Sequence, residues 1–212
     1  MERLYRRRIP AEKVVTPEVA RECAELTYET RRQIGLLVNR QGQIESVLIG
    51  DHHELVIPHL SRTRSGLRLL RGVRLVHTHL NNQPLTQDDL TDLALLRLDL
   101  IMALGVGKDG MLRDVFVAHI LSNPIHGRTT LELPPCAFHA FQLDCHQFIQ
   151  SLEQEIVRSN PGLREGVREG RALLVSVSAG HGASEQGRLE ELQELVRAQN
   201  LEVLGCITQR LG

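Results

Sequence analysis

Residues 73–90 read Val-Arg-Leu-Val-His-Thr-His-Leu-Asn-Asn-Gln-Pro-Leu-Thr-Gln-Asp-Asp-Leu, and this stretch decides the fold. Val73 to His79 has the β-branched and apolar make-up of a strand. Asn81 to Pro84 makes a turn. Thr86 then caps a helix, with Asp89 at the third position completing a capping box. Leu90, Leu93, Ala94, Leu98 and Ile101 supply an apolar face, so the helix is expected to run to about Leu104, where Gly105 stops it. A strand at Val115–Leu121 follows, and strand, helix and strand in succession indicate an α/β fold.

The same stretch carries the chemistry. His77 and His79 stand two apart on a strand, so both side chains leave one face and can reach one metal ion. Asp88 and Asp89 open the next helix, where a carboxylate can swing back to the strand end. Two imidazoles and a carboxylate, with a fourth position left for water, form a catalytic zinc layout.

Upstream, Thr16-Pro17-Glu18 starts a helix expected to reach about Arg32. Gln33–Asn39 and Ile44–Ile49 form a hairpin around Arg40-Gln41-Gly42, and Leu55–Ile57 reads as a further short strand. Residues 1–122 therefore form a leading α/β domain. Residues 123–136, holding Pro124, Pro134, Pro135 and Gly127, read as an extended connector. Residues 137–212 follow as a helix over Phe138–Ser159 and then a strand (172–178), a helix (185–199) and a strand (202–208). Short connections make the last three a parallel crossover. Two strands cannot bury both faces of a sheet, so this is a partial βαβ unit.

Composition narrows the classes. No apolar run approaches a membrane span and the first residues lack a leader's apolar core, which places the chain in the cytoplasm. Cys23, Cys136, Cys145 and Cys206 form no CxxC pair and read as reduced thiols. Residues 1–74 carry a net charge of +5 and the remainder −6, so any contact with nucleic acid belongs to the leading part. Its basic residues are nearly all arginine: Arg3, Arg6, Arg7 and Arg8 in one cluster, and Arg62, Arg64, Arg68, Arg71 and Arg74 in another. Arginine suits bidentate phosphate contact. No G-x-x-x-x-G-K-[ST] loop is present, and Gly180–Gly187 lacks its lysine, so the chain holds no nucleotide cradle.

Arg6 to Glu18, Arg32 to Asn39, Arg74 to His79 and Leu85 to Arg97, with Ala172–Val177 and Glu202–Gly205 later, resemble the N-terminal region of long HflX-family GTPases. The resemblance implies a non-catalytic accessory region of a cytoplasmic protein that contacts the large ribosomal subunit. GTP and magnesium would then sit in a downstream GTPase domain beyond this chain. The candidate ribosome contacts are Arg6, Arg7, Arg8, Arg62, Arg64, Arg68 and Arg71.

The leading domain also resembles the JAMM metalloproteases and RadC proteins, where H-x-H ends a strand and a Ser and an Asp open the next helix. His77, His79 and Asp89 match the metal positions and Thr86 matches the serine. Leu80 stands where that family has proline, and the span from His79 to Asp89 is one residue short. Glu29 and Glu45 are the candidates for its general-base glutamate. The resemblance thus implies a degenerate domain that has lost its metal, or alternatively a zinc-dependent isopeptidase using His77, His79 and Asp89. Two lesser clusters are ligand-rich: Asp51, His52, His53 and Glu54; and Cys136, His139, Cys145 and His146.

Overall fold

A computed structural model describes residues 2–58, 69–125, 127–159, 171–179, 185–198 and 201–211. The protein is mixed α/β and divides into two compact units, with the division at Ser159/Asn160. The first unit contains helices α1 (Glu2–Tyr5), α2 (Pro17–Thr30), α3 (Gln87–Leu96) and α4 (Cys145–Ser159). Its strands are β1 (Ile34–Asn39), β2 (Ile44–Ile49), β3 (Val73–Leu80), β4 (Ile101–Val106), β5 (Leu112–Ile125), β6 (Arg128–Glu132) and β7 (Cys136–Ala137). They build one sheet in the order β2-β1-β3-β4-β5-β6, with β7 beside β5. β3 and β4 run parallel and the remaining pairs antiparallel.

Sequence explains the sheet's centre. β1 and β4 are buried at every position, and β3 at every position but its last. α2 covers one face, presenting Val19, Ala20, Cys23, Ala24 and Thr27. Thr27 Oγ1 meets Thr78 Oγ1 at 2.6 Å, so Thr78 points toward α2. His77 and His79, its neighbours on β3, point to the opposite face, where α3 lies.

Four expectations need correction. The helix that starts at Thr86 ends at Leu96, not near Leu104, because Arg97 takes a left-handed conformation and its N–H closes on Ala94 and Leu93 carbonyls. Ile101–Val106 is instead β4. A strand buried on both faces is apolar without alternation, and periodicity alone cannot separate it from a buried helix. Residues 123–136 are not a free connector: β5 continues to Ile125 and turns at Gly127 (φ +79°) into β6. The helix expected from Phe138 begins at Cys145, after a 3-10 turn at Phe138–Ala140. Leu55–Ile57 is no strand; Leu55 instead packs over Gly35.

α4 belongs with the first unit, so the unit extends past residue 122. Cys145, Ile149, Leu152 and Ile156 are its buried stripe, and it packs on β5. Arg40, in the β1–β2 turn, bridges Asp99 at 2.7 Å and Glu153 of α4 at 2.8 Å. Asp99 is buried and also accepts from the Gly72 N–H at 2.8 Å.

Arg74 departs most from the surface role that its arginine cluster suggested. It is 1% exposed, and its guanidinium donates to the carbonyls of Val14 (3.0 Å), Asn39 (3.1 Å) and Lys13 (3.1 Å). It ties the chain ahead of α2 to β1 and β3.

The second unit comprises β8 (Arg171–Ala179), α5 (Glu185–Ala198) and β9 (Glu202–Leu211). β8 and β9 pair in parallel, as the crossover pattern predicts, with Leu174 opposite Cys206 and Val175 opposite Ile207. Leu174 is buried, and Gln193 of α5 donates to Cys206 Sγ at 3.2 Å. Leu173, Val175 and Val177 alternate with these and are exposed. Among the described residues of the chain, no helix is long and apolar enough to cross a membrane.

Replacing Arg74 by Ala removes a charged donor from the carbonyls of Val14, Lys13 and Asn39, of which Asn39's keeps the Gly42 N–H. The Arg74→Ala variant is expected to lose about 3 kcal/mol or more of unfolding free energy. Urea titration followed by circular dichroism measures it; a loss under about 1 kcal/mol would show the three bonds to be dispensable.

Candidate metal centre

β3 sets two imidazoles side by side. His77 is flanked by Gly35 of β1 and Ala103 of β4, and His79 lies beside Gly105 of β4. Lacking a Cβ, the two glycines let Leu55 pack over Gly35 and the Asn82 side chain lie over Gly105 beside the histidines. Both histidines are buried, at 1% and 2% exposure.

α3 supplies the third group. Thr86 Oγ1 accepts from the Asp89 N–H at 3.2 Å, while Asp89 Oδ2 accepts from the Thr86 N–H at 2.7 Å and from its hydroxyl at 2.8 Å. That capping box fixes Oδ2 and turns Oδ1 toward His77 Nε2, 3.2 Å away. Asp89 Oδ2 is 3.5 Å from His79 Nε2, and the two Nε2 atoms are 2.8 Å apart. One donor from each of the three residues falls within 4.8 Å of the others, and they form the one group among the described residues that can hold a metal ion. Donors on a tetrahedral zinc, about 2.0–2.1 Å from it, are roughly 3.3 Å apart. The observed spacings need only small adjustment.

The proton positions follow from hydrogen bonds. His79 Nδ1 lies 2.9 Å from the Pro84 carbonyl and 3.2 Å from that of Gln83, so it carries the proton and Nε2 is a lone pair. His77 Nδ1 is buried and has no hydrogen-bond partner among the described residues.

Electrostatics favour the same state. Burial, and next the neighbouring His77, push the His79 pKa down to about 4, so its imidazole is neutral at ordinary pH. Burial alone would raise Asp89. The hydrogen bond and charge of His77 and the two donors of Thr86 outweigh it and hold the carboxyl well below its usual range. Neutral imidazole and ionised carboxylate are the forms that ligate a cation.

Asp92, one turn further along α3, was not singled out by sequence reading. Burial raises its pKa first, then the carboxylates of Asp89, Asp88 and Glu54, with His77 opposing. The signal available was its spacing: position i+3 from Asp89 shares a helix face. Glu54 reaches this neighbourhood because Asp51 Oδ1 accepts from the His53 and Glu54 N–H groups, both at 2.7 Å, folding residues 51–54 into a tight turn.

The remaining candidates disperse. Glu29 is exposed on α2, the helix of the opposite sheet face. Glu45 is exposed on β2 and accepts from Asn39 Nδ2 at 3.1 Å, at the end of β1 remote from Gly35. His52 and His53 stack at 3.9 Å between ring centroids and are exposed. Cys145 is buried in the α4 stripe, whereas His139 and His146 are exposed and His146 pairs with Gln150. Arg6, Arg7 and Arg8 are exposed; Arg7 pairs with Glu22 at 3.6 Å and Arg8 donates to the Gln41 carbonyl. Arg62, Arg64 and Arg68 lie outside the described residues, as do residues 180–184 of the glycine-rich loop.

No protein-family model, curated protein or solved structure matches the chain.

The His79 shift fixes a pH dependence. Unfolded, His79 takes up a proton near 6.5; folded, only near 4. Between those values the unfolded chain binds more protons, so stability is complete above about 6.5 and falls as pH drops toward 4. The expected loss is of order 3 kcal/mol. Urea unfolding in the presence of a chelator, across this window, measures it against His79→Gln, whose profile should be flatter by that amount. Identical profiles would refute the assigned burial of a neutral imidazole.

Proposed function

We propose that His77, His79 and Asp89 hold a zinc ion and that the first unit is a metal-dependent hydrolase of amide bonds, of the isopeptidase kind. The observation that carries this reading is the bond from His79 Nδ1 to the Pro84 and Gln83 carbonyls, which leaves Nε2 unprotonated beside His77 Nε2 and the Asp89 carboxylate. Two nitrogens and one oxygen leave a tetrahedral position open. Zinc bound there supplies Lewis acidity that polarises a carbonyl and eases proton loss from water. The chain's own groups do the rest. His77 and His79 orient the centre, Asp89 contributes negative charge, and the Thr86 cap keeps that carboxylate in place. Asp92 accepts a proton from the attacking water and returns it to the leaving nitrogen, a role for which a raised carboxyl pKa is suited. The isopeptide component rests on the likeness to JAMM proteins.

A second reading is an accessory region of a ribosome-associated GTP-binding protein of the HflX type, with the GTPase domain downstream. The exposed Arg6, Arg7 and Arg8 favour it, as does the placement of Glu29 and Glu45 away from the histidine pair. Under this reading those arginines contact phosphates of the large ribosomal subunit.

Elemental analysis after dialysis is expected to find one zinc per chain, and none in folded His77→Ala. Asp92→Asn should keep its zinc while cleavage of a fluorogenic isopeptide falls about 100-fold. A folded chain that takes up no zinc from several-fold excess would sink the first reading. The second predicts salt-sensitive co-sedimentation with ribosomes, lost when Arg6, Arg7 and Arg8 are all changed to Ala; pelleting indifferent to these changes would remove it.

A further inference from the structure

The turn after β3 is held in an unusual way. Asn81 and Asn82 both have positive φ, 58° and 55°, a conformation that asparagine tolerates better than most residues. The Asn82 N–H donates to the Val106 carbonyl at 3.1 Å, anchoring the turn to the end of β4. Its side chain reaches further. Asn82 Nδ2 donates to Asp114 Oδ2 at 2.7 Å, and Asn82 Oδ1 accepts from the Asp114 N–H at 3.1 Å. One donor and one acceptor used on the same residue leave the amide a single orientation.

This clasp spans β4 at Gly105. A Cβ there would overlap Asn82 Oδ1, so only glycine leaves the path to β5 clear. Gly105 is also the strand partner of His79. The clasp therefore crosses the sheet beside one of the two histidines, and the next two residues, Gln83 and Pro84, present the carbonyls that His79 Nδ1 meets.

We propose that Asn82 and Asp114 form a positioning pair: by pinning the turn across Gly105 they fix the carbonyls that select the His79 tautomer, and so aim its Nε2 lone pair at the metal position. The proposal rests on the zinc reading for its consequence, but its geometry stands on the metal-free chain. Releasing the pair lets the Gln83 and Pro84 carbonyls withdraw. The proton on His79 is then no longer held at Nδ1, and the protonated fraction of Nε2 cannot ligate.

The test uses the full chain. Asn82→Gly keeps the left-handed backbone and deletes only the clasp. Asn82→Asp sets two carboxylates against each other, and Asn82→Asp with Asp114→Asn restores the complement with donor and acceptor exchanged. Long-range proton–nitrogen NMR on the metal-free protein reads the tautomer, zinc titration reads affinity, and circular dichroism confirms the fold. The unaltered chain is expected to show His79 protonated at Nδ1. Asn82→Gly and Asn82→Asp should show a mixed tautomer and zinc affinity lower by roughly 10- to 100-fold, and the exchanged pair should recover both. An unchanged tautomer in folded Asn82→Gly would overturn the proposal, as would an unaltered chain not protonated at Nδ1. If Asn82→Asp fails to fold, Asn82→Gly and the exchanged pair decide it. Failure of the zinc reading looks different: the unaltered chain takes up no zinc, while the NMR result still stands.

Discussion

A strand covered on both faces has no water to satisfy its polar side chains, so each must find a partner in the protein. β3 is such a strand, and it carries Arg74, His77, Thr78 and His79, all buried. The architecture around it follows from satisfying them. Arg74 draws in the carbonyls of Lys13, Val14 and Asn39 and so places the segment leading into α2. Thr78 meets Thr27 and accepts from the Ile34 N–H, fixing α2 and the start of β1 against it. His79 collects the carbonyls of the turn, and His77 takes the carboxylate of α3. Only His77 Nδ1 among these atoms stays without a partner in the described residues. Replacing the four by aliphatic residues would give a simpler core. Their presence sets β3 apart from its parallel neighbour β4, which is apolar throughout.

The parts of the fold that sequence made legible are those with local signatures. The Thr16 and Thr86 caps, the Gly42 turn of the hairpin and the alternation that put both histidines on one face all appear where the residues indicate. The parts that were misread lack such signatures. β4 is an unbroken apolar run, and the residue that ends α3, Arg97, has no glycine-like preference for the left-handed conformation it takes. Pro124 suggested a connector, yet it sits near the far end of β5, where the register with β6 is already irregular and a missing N–H is tolerated. The candidate centre was legible in its three ligands because they are close in sequence. Asp92, Asn82 and Asp114 were not, since their significance arises from strands and turns brought together across the sheet.

The donor set also explains why capping and ligation are not competing accounts of Asp89. A carboxylate has two oxygens; Oδ2 serves the helix terminus and Oδ1 serves the histidine. Thr86 thus acts on the centre without touching the histidines. The acidic surroundings of Asp88, Asp92 and Glu54 give the same place a negative potential that attracts cations and opposes further anions.

This sharing joins two events that are separate in most proteins. A cation held by Asp89 would draw electron density from it and weaken its hold on the Thr86 N–H, so occupancy would be transmitted to the first turn of α3. Solvent exchange of those first-turn amides would then be a gauge of loading readable without chemistry or colour.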